Sequence, residues 1–396
     1  MFLGARSAMF LGARAAMFLG AGVLAFGGPI LTVVDLGALG GPNAQAFGVN
    51  ASGLAVGSAT TAFGYTHAFS SSGAGIADLT LNSGASEGIA SAVNAAGTVA
   101  GTQFINGQAY ATVWSGGAAL AIGGAGSYAL AINDAGETGG MLTTAGGQGH
   151  AFLLNGGVLT DLGTLPGGNW SSIYGLNNQG DAAGYGTTAS GAFSGFTWSP
   201  DSGYSVLGTF GGANSYAMAI NDAGEAVGSA QLADGALNAF VDVNGQLTDL
   251  GTLGGMNSYA YGINGAGEVV GYSLLGSGDA HAFLFENGVM IDLNSLIDPS
   301  TGWVLNQAYG INASGEIVGA GTLNGVAQAF LLDYPGSSSV AEISGVASTP
   351  EPATWGVVLM GLTLTIALRA LRLRARLHPL PLARPRSHSR SGASLR

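Results

Sequence analysis

Three histidines, His67, His150 and His281, each open a His-Ala-Phe triplet. Imidazoles recurring at one motif position suggest metal ligation or proton transfer. The chain carries its own control, because the same position in the other copies reads Gln108, Ser194, Asn238 and Gln328. A position that accepts His, Gln, Ser or Asn asks for a hydrogen-bonding side chain rather than an imidazole, so the histidines are assigned to the fold. Two sets of carboxylates also recur: Asp35, Asp78, Asp161, Asp249 and Asp292 in an Asp-Leu step, and Glu137, Asp181, Glu225, Glu268 and Glu316 after a turn glycine. An acid–base pair needs two carboxyls in unlike surroundings, whereas repeated carboxyls share one, so these are expected to cap turns and face water. Turns such as Asn133-Asp-Ala-Gly-Glu137 offer oxygens of the kind Ca²⁺ takes, but they lack the alternating Asp spacing, and Leu54 and Thr98 replace the acid in two copies. No cofactor is expected, Ca²⁺ being the one ion these turns could hold. Gly84-Ala-Ser86-Glu-Gly88 matches the Gly-x-Ser-x-Gly nucleophile elbow, yet no helical pattern follows it. Cysteine is absent and residues 15–368 hold no Lys or Arg, which excludes thiolate chemistry, a Schiff base and a cationic phosphate clamp.

These positions recur because the chain does. Between Ile30 and Tyr334 one pattern repeats: Asp-Leu-Gly-x-Leu-Gly-Gly, an alternating stretch ending in a hydrophobic residue and Asn, then x-x-Gly, a run ending in Val-Gly, and a polar residue before Ala-Phe. The asparagine falls at Asn50, Asn94, Asn133, Asn177, Asn221, Asn264 and Asn312, a period of about 44 residues that belongs to solenoids and propellers. Each period carries four short β segments. In the clearest copy they are 259–263, 268–272, 280–285 and 289–293, and Asn287-Gly288 between the last two is a two-residue hairpin signal. Four antiparallel strands per period make one propeller blade. The array begins in fourth-strand phase, at Leu31-Thr-Val-Val-Asp35-Leu36, and stops after a third strand, Ala329-Phe-Leu-Leu-Asp333. The N-terminal strand can therefore complete the last blade and leave no open edge. The expected fold over 30–335 is all-β, a seven-bladed β-propeller, with an open β-solenoid as the alternative. The 71 glycines suit such a turn-rich chain better than helices.

Charge is segregated. All 22 Asp and Glu lie between Asp35 and Glu351, while the arginines lie at Arg6, Arg14 and from Arg369 onward. Cations beside a membrane stay on the cytoplasmic side, so this pattern describes a body carried across with its ends held back. An anionic body also repels phosphate, which argues against a nucleic acid partner. Residues 1–28 read as a signal peptide, with arginines, an apolar stretch over 15–26 and the small-x-small site Ala25-Phe-Gly27. Met1, Met9 and Met17 each open the same Met-Phe-Leu-Gly-Ala repeat, so each is a candidate start. At the other end Pro350-Glu351-Pro352 precedes Trp355, an apolar run, and then Arg369, Arg372, Arg374 and Arg376. A transmembrane helix over 353–371 would just cross a hydrocarbon core of about 30 Å, with Trp355 at the outer interface and the arginines at the inner one. Residues 336–349 read as a linker and 377–396 as a disordered basic tail.

Residues 350–376 resemble the PEP-CTERM sorting signal of exopolysaccharide-producing Gram-negative bacteria. That resemblance implies a membrane-embedded exosortase as partner, with Pro350, Glu351 and Pro352 at the processing site; a plain membrane anchor is the alternative. The repeats resemble the HAF family of extracellular repeats, including the last-copy variant Asp292-Leu-Asn-Ser-Leu-Ile-Asp298-Pro. The resemblance implies an extracellular repeat protein and brings no activity with it. Two functions then fit: a non-catalytic binding or structural component of the cell surface or exopolysaccharide matrix, or a propeller-based glycan hydrolase with carboxylates around a central channel. Trp114, Trp170, Trp198 and Trp303, with Tyr128, Tyr216 and Tyr259, either stack on sugars at blade ends or pack between blades.

Overall fold

The computed structural model describes residues 30–72 and 75–335, which form seven four-stranded antiparallel sheets with no α-helix among them. Blades 1 to 6 occupy 40–78, 87–121, 128–163, 171–206, 211–249 and 254–292, and blade 7 occupies 303–333. The fourth strand of blade 7 is the N-terminal segment Val33–Asp35, paired antiparallel as Val33↔Leu332, Val34↔Leu331 and Asp35↔Phe330. The chain is the seven-bladed propeller that its repeats predict, closed by its own first strand. The signal segment, Pro350, Glu351, Pro352, Trp355, Arg369, Arg372, Arg374, Arg376, the linker and the basic tail lie outside the described residues.

Blade 6 shows how local sequence sets the strands. They run Gly254–Ile263, Val269–Leu275, Ala280–Glu286 and Val289–Asp292, the first beginning earlier than its alternation suggests because Gly254 pairs with Leu275. The final hairpin turns through Asn287 and Gly288 at φ 50° and 79°, the left-handed geometry that an Asn-Gly pair supplies.

One irregularity recurs in every blade. The first strand carries a β-bulge three residues before the motif asparagine, at Phe47, Ser91, Leu130, Tyr174, Met218, Tyr261 and Tyr309. A bulge places two residues against one and re-aims a side chain. Its counterpart is the Val-Gly glycine of the second strand. A Cβ at Gly57, Gly101, Gly140, Gly184, Gly228, Gly271 or Gly319 would meet a first-strand carbonyl oxygen at 1.8 to 2.1 Å. The repeat keeps glycine there for close backbone approach, not for an unusual φ.

The Phe of His-Ala-Phe fills the space beside that glycine. Phe69, Phe152, Phe196, Phe240, Phe283 and Phe330 are wholly buried, each worth about 1.5 to 3 kcal/mol of burial. Blade 2 departs from the sequence alignment: Gly101 pairs with Thr112, so Tyr110-Ala111-Thr112 occupies the triplet and not Gln108, which sits in the Ile105↔Gln108 hairpin. Two residues beyond the Phe, most blades place a large apolar side chain, such as Trp114, Leu154, Phe285 or Leu332, but blade 5 places Asp242, which is 2% exposed. Burial raises the Asp242 carboxyl above its ordinary value, against a hydrogen bond from Gly245 N that lowers it. With its folded value raised, its stabilising contribution is complete below about pH 3.9 and is lost as pH rises through the folded value. Asp242→Asn is therefore expected to gain melting temperature relative to the parent as pH climbs from 4 to 7; parallel melting curves across that range would refute the buried charge.

Candidate functional site

The first strands face the propeller axis, and the motif asparagines gather at one end of it. Each Nδ2 donates to the backbone carbonyl of the asparagine in the next blade, from Asn50 to Asn94, Asn94 to Asn133, Asn133 to Asn177, Asn177 to Asn221, Asn221 to Asn264, Asn264 to Asn312 and back to Asn50, at 2.9 to 3.2 Å. The seven bonds form a closed belt. Every Oδ1 also accepts the backbone N–H four residues on, at 2.8 to 3.1 Å, which holds the hairpin turn. In five blades the second amide hydrogen goes to the turn carboxylate, Glu137, Asp181, Glu225, Glu268 or Glu316. These carboxylates are half-buried and engaged rather than turned to water as expected, because the amide beside them still has a hydrogen to give.

Inside the belt lies a well. A cavity of about 300 Å³ opens at the mouth, and one of about 190 Å³ lies beneath it; Val49, Val93, Ile132, Leu176, Ile220, Ile263 and Ile311 wall both. The floor is the bulge ring, roughly 10 Å below the mouth at a strand rise of about 3.3 Å per residue. Aromatic rings hold most of it: Phe47 lies 5.3 Å from Tyr309, which lies 5.2 Å from Tyr261, while Tyr174 stacks on Tyr185 at 4.8 Å. Tyr174 and Tyr185 also share a hydroxyl hydrogen bond of 2.9 Å. Burial pushes the Tyr174, Tyr261, Tyr272 and Tyr309 phenols up, with neighbouring tyrosines adding to the shift, so all stay protonated and neutral.

The mouth breaks the repeat. One residue past the belt, four blades carry Ala51, Ala95, Gly265 and Ala313, but blades 3, 4 and 5 carry Asp134, Asn178 and Asp222. Asn178 Nδ2 donates to Asp134 Oδ2 at 3.2 Å and to Asp222 Oδ2 at 3.1 Å. The backbone N–H groups of Ala95 and Asn178 donate to the other oxygens of Asp134 and Asp222. Repetition hid this sector from the sequence reading, which followed positions that recur.

The histidines do not converge. Each bonds through Nδ1 to the Asp-Leu carboxylate of its own blade: His67 to Asp78 at 2.7 Å, His150 to Asp161 at 2.9 Å and His281 to Asp292 at 2.7 Å. Asn238 makes the same bond to Asp249, which is why the position tolerates an amide. These aspartates also cap their turns, as Asp78 does for Thr80 N and Leu81 N. Among the described residues no three His, Asp or Glu side chains gather into a metal-ligating group. Ser86 donates to the Phe104 carbonyl, as a turn residue rather than a nucleophile. Trp114 and Trp303 are buried in blade cores, Trp198 packs at the edge of one, and Trp170 lies against Tyr185 and Phe193.

No family model matches the chain, and a search of curated proteins finds no match. Among solved structures, the chain is similar to a puromycin-hydrolyzing peptidase of Mycobacterium tuberculosis (TM-score 0.49, 12% identity, 82% of this chain and 57% of that one). It is also similar to TolB from Acinetobacter baumannii (TM-score 0.42, 11% identity, 76% and 65%) and to YCF48 bound to D1 peptide (TM-score 0.40, 12% identity, 81% and 99%). The chain thus spans less than two thirds of the length of the peptidase and of TolB.

Proposed function

We propose that this chain is an exported, exosortase-sorted repeat protein acting as a non-catalytic binding or structural component of the cell surface or exopolysaccharide matrix. The observation that carries the reading is the commitment of the repeated carboxylates: the turn set holds belt amides, and the Asp-Leu set holds turns and histidines. The charge segregation and the motif around Pro350 support the export and sorting half. The glycan hydrolase reading rests on Asp134 and Asp222, whose Oδ2 atoms share one amide and so lie about 6 Å apart or less, within reach of a glycosidase pair. Both are exposed and meet the same kinds of donor, so nothing sets one as acid and the other as base. The full chain, applied to the producing cell's exopolysaccharide with and without Ca²⁺, is expected to be retained and to release no new reducing ends. Failure to be retained on the exopolysaccharide under both conditions would overturn the binding role, and released reducing ends would restore the hydrolase.

A further inference from the structure

The axial well combines three properties that point to one ligand chemistry. Its wall is aliphatic, its floor is aromatic, and its mouth carries two carboxylates on one side. No Lys or Arg exists anywhere in residues 30–335 to neutralise Asp134 and Asp222; their partners are backbone N–H groups and a single amide. The well is also where the repeats differ from one another. The belt asparagine is the same in all seven blades, whereas the residues directly above and below the collar vary from blade to blade. The repeat varies elsewhere too, but here the variation places two carboxylates on one sector of a cavity rim, where four other blades carry Ala or Gly.

We infer that the axial well binds a small organic cation, a quaternary or alkyl ammonium compound, with its charge at the Asp134 and Asp222 carboxylates and its alkyl groups directed down the aliphatic collar. This goes beyond the matrix role, which a polymer must meet on the outer surface, and does not depend on it. A cavity of about 300 Å³ stands at the lower end of those that hold small ligands, about 300 to 1,000 Å³. The methyl groups of such a cation suit the Val and Ile collar, which both cavities share, and the aromatic floor closes the well beneath it. An inorganic ion fits worse. Ca²⁺ takes six to eight oxygens, and the belt oxygens are already spent: each asparagine carbonyl accepts an amide and a turn N–H, and each Oδ1 accepts backbone donors. Phosphorylated or carboxylated ligands are repelled by the same two carboxylates.

The test is calorimetric titration of the full chain with choline chloride and tetramethylammonium chloride, against 3,3-dimethylbutan-1-ol as the uncharged isostere of choline and NaCl at matched ionic strength. One saturable site per chain is expected, with choline at least tenfold tighter than the alcohol. Asp134→Asn with Asp222→Asn keeps the Oδ1 acceptors for Ala95 N and Asn178 N but gives up the two Asn178 Nδ2 bonds at this exposed rim, and should weaken choline at least tenfold in a chain that still melts cooperatively. Ala313→Lys, at an exposed rim position, places a resident ammonium over the mouth and should abolish binding on its own. Asp234→Asn, on a distant hairpin, removes one charge without touching the well and should leave affinity unchanged. Equal affinity for choline and its isostere, absence of a saturable site, or the same loss in Asp234→Asn as in the rim variant would overturn the proposal.

Discussion

Gly228→Ala is expected to prevent the propeller from folding. A Cβ there would stand 1.8 Å from the backbone oxygen of Tyr216, a contact that no rotamer change relieves. The carbonyl is where it is because Met218 bulges out of the first strand, so relief would require removing the bulge and with it the blade's register. A loss of about 4 kcal/mol or more follows, the range reserved for named steric failures. Gly245→Ala is the matched control. That residue has φ +81° and open space around its missing Cβ, so it carries only the left-handed backbone cost of about 1 to 2 kcal/mol. Thermal melting followed by circular dichroism separates the two, and a Gly228→Ala protein melting within about 2 °C of the parent would remove the bulge argument.

Asn177→Ala should cost about 3 kcal/mol by breaking the belt at one link. The substitution deletes the bonds to Asn221 O, Asp181 N, Gln179 N and Asp181 Oδ2, and orphaned buried polar groups cost about 1 to 3 kcal/mol each. Asn177→Asp is the sharper variant, because it keeps the acceptor and replaces the donor with a second oxygen facing Asp181. The introduced carboxyl takes a raised folded value beside that carboxylate. Its stability contribution is therefore full below about pH 3.9 and falls as pH rises through the raised value. At pH 7 this variant should melt lower than Asn177→Ala, and the order should reverse in acid. Identical melting of parent and both variants at pH 7 would show that the belt adds nothing.

Much of this architecture is visible in the residues themselves, and what is hidden has a common cause. The asparagine spacing and the Asn-Gly hairpins reveal blade number and strand order, because turn chemistry is local and survives repetition. The fourth-strand phase of Leu31 to Leu36 reveals the closure. The belt was hidden because a repeated Asn announces a shared role without naming its partner, which lies one blade away. The bulges had no usable signal: Ser258-Tyr-Ala-Tyr-Gly-Ile263 alternates small and large residues straight through the bulge at Tyr261. The His–Asp bonds had one, an offset of 11 residues shared by His67 and Asp78, His150 and Asp161, and His281 and Asp292. The Asp134, Asn178 and Asp222 rim had one too, the same position after the motif asparagine in three successive periods, but it breaks the pattern of the other four blades and so does not stand out as a repeated feature.

The strand that completes blade 7 also governs when this protein can mature. Blades 1 to 6 are built from hairpins between nearby residues and can form in order as the chain emerges. Val33 must wait for Leu332, and the final belt bond, Asn312 to Asn50, spans 262 residues. Until the last strand, Val326–Asp333, arrives, the molecule is an open arc with an unpaired sheet edge, the species most prone to join a neighbouring copy. Completion of the chain is thus a checkpoint: a copy truncated before that strand keeps most of its blades yet never becomes a ring.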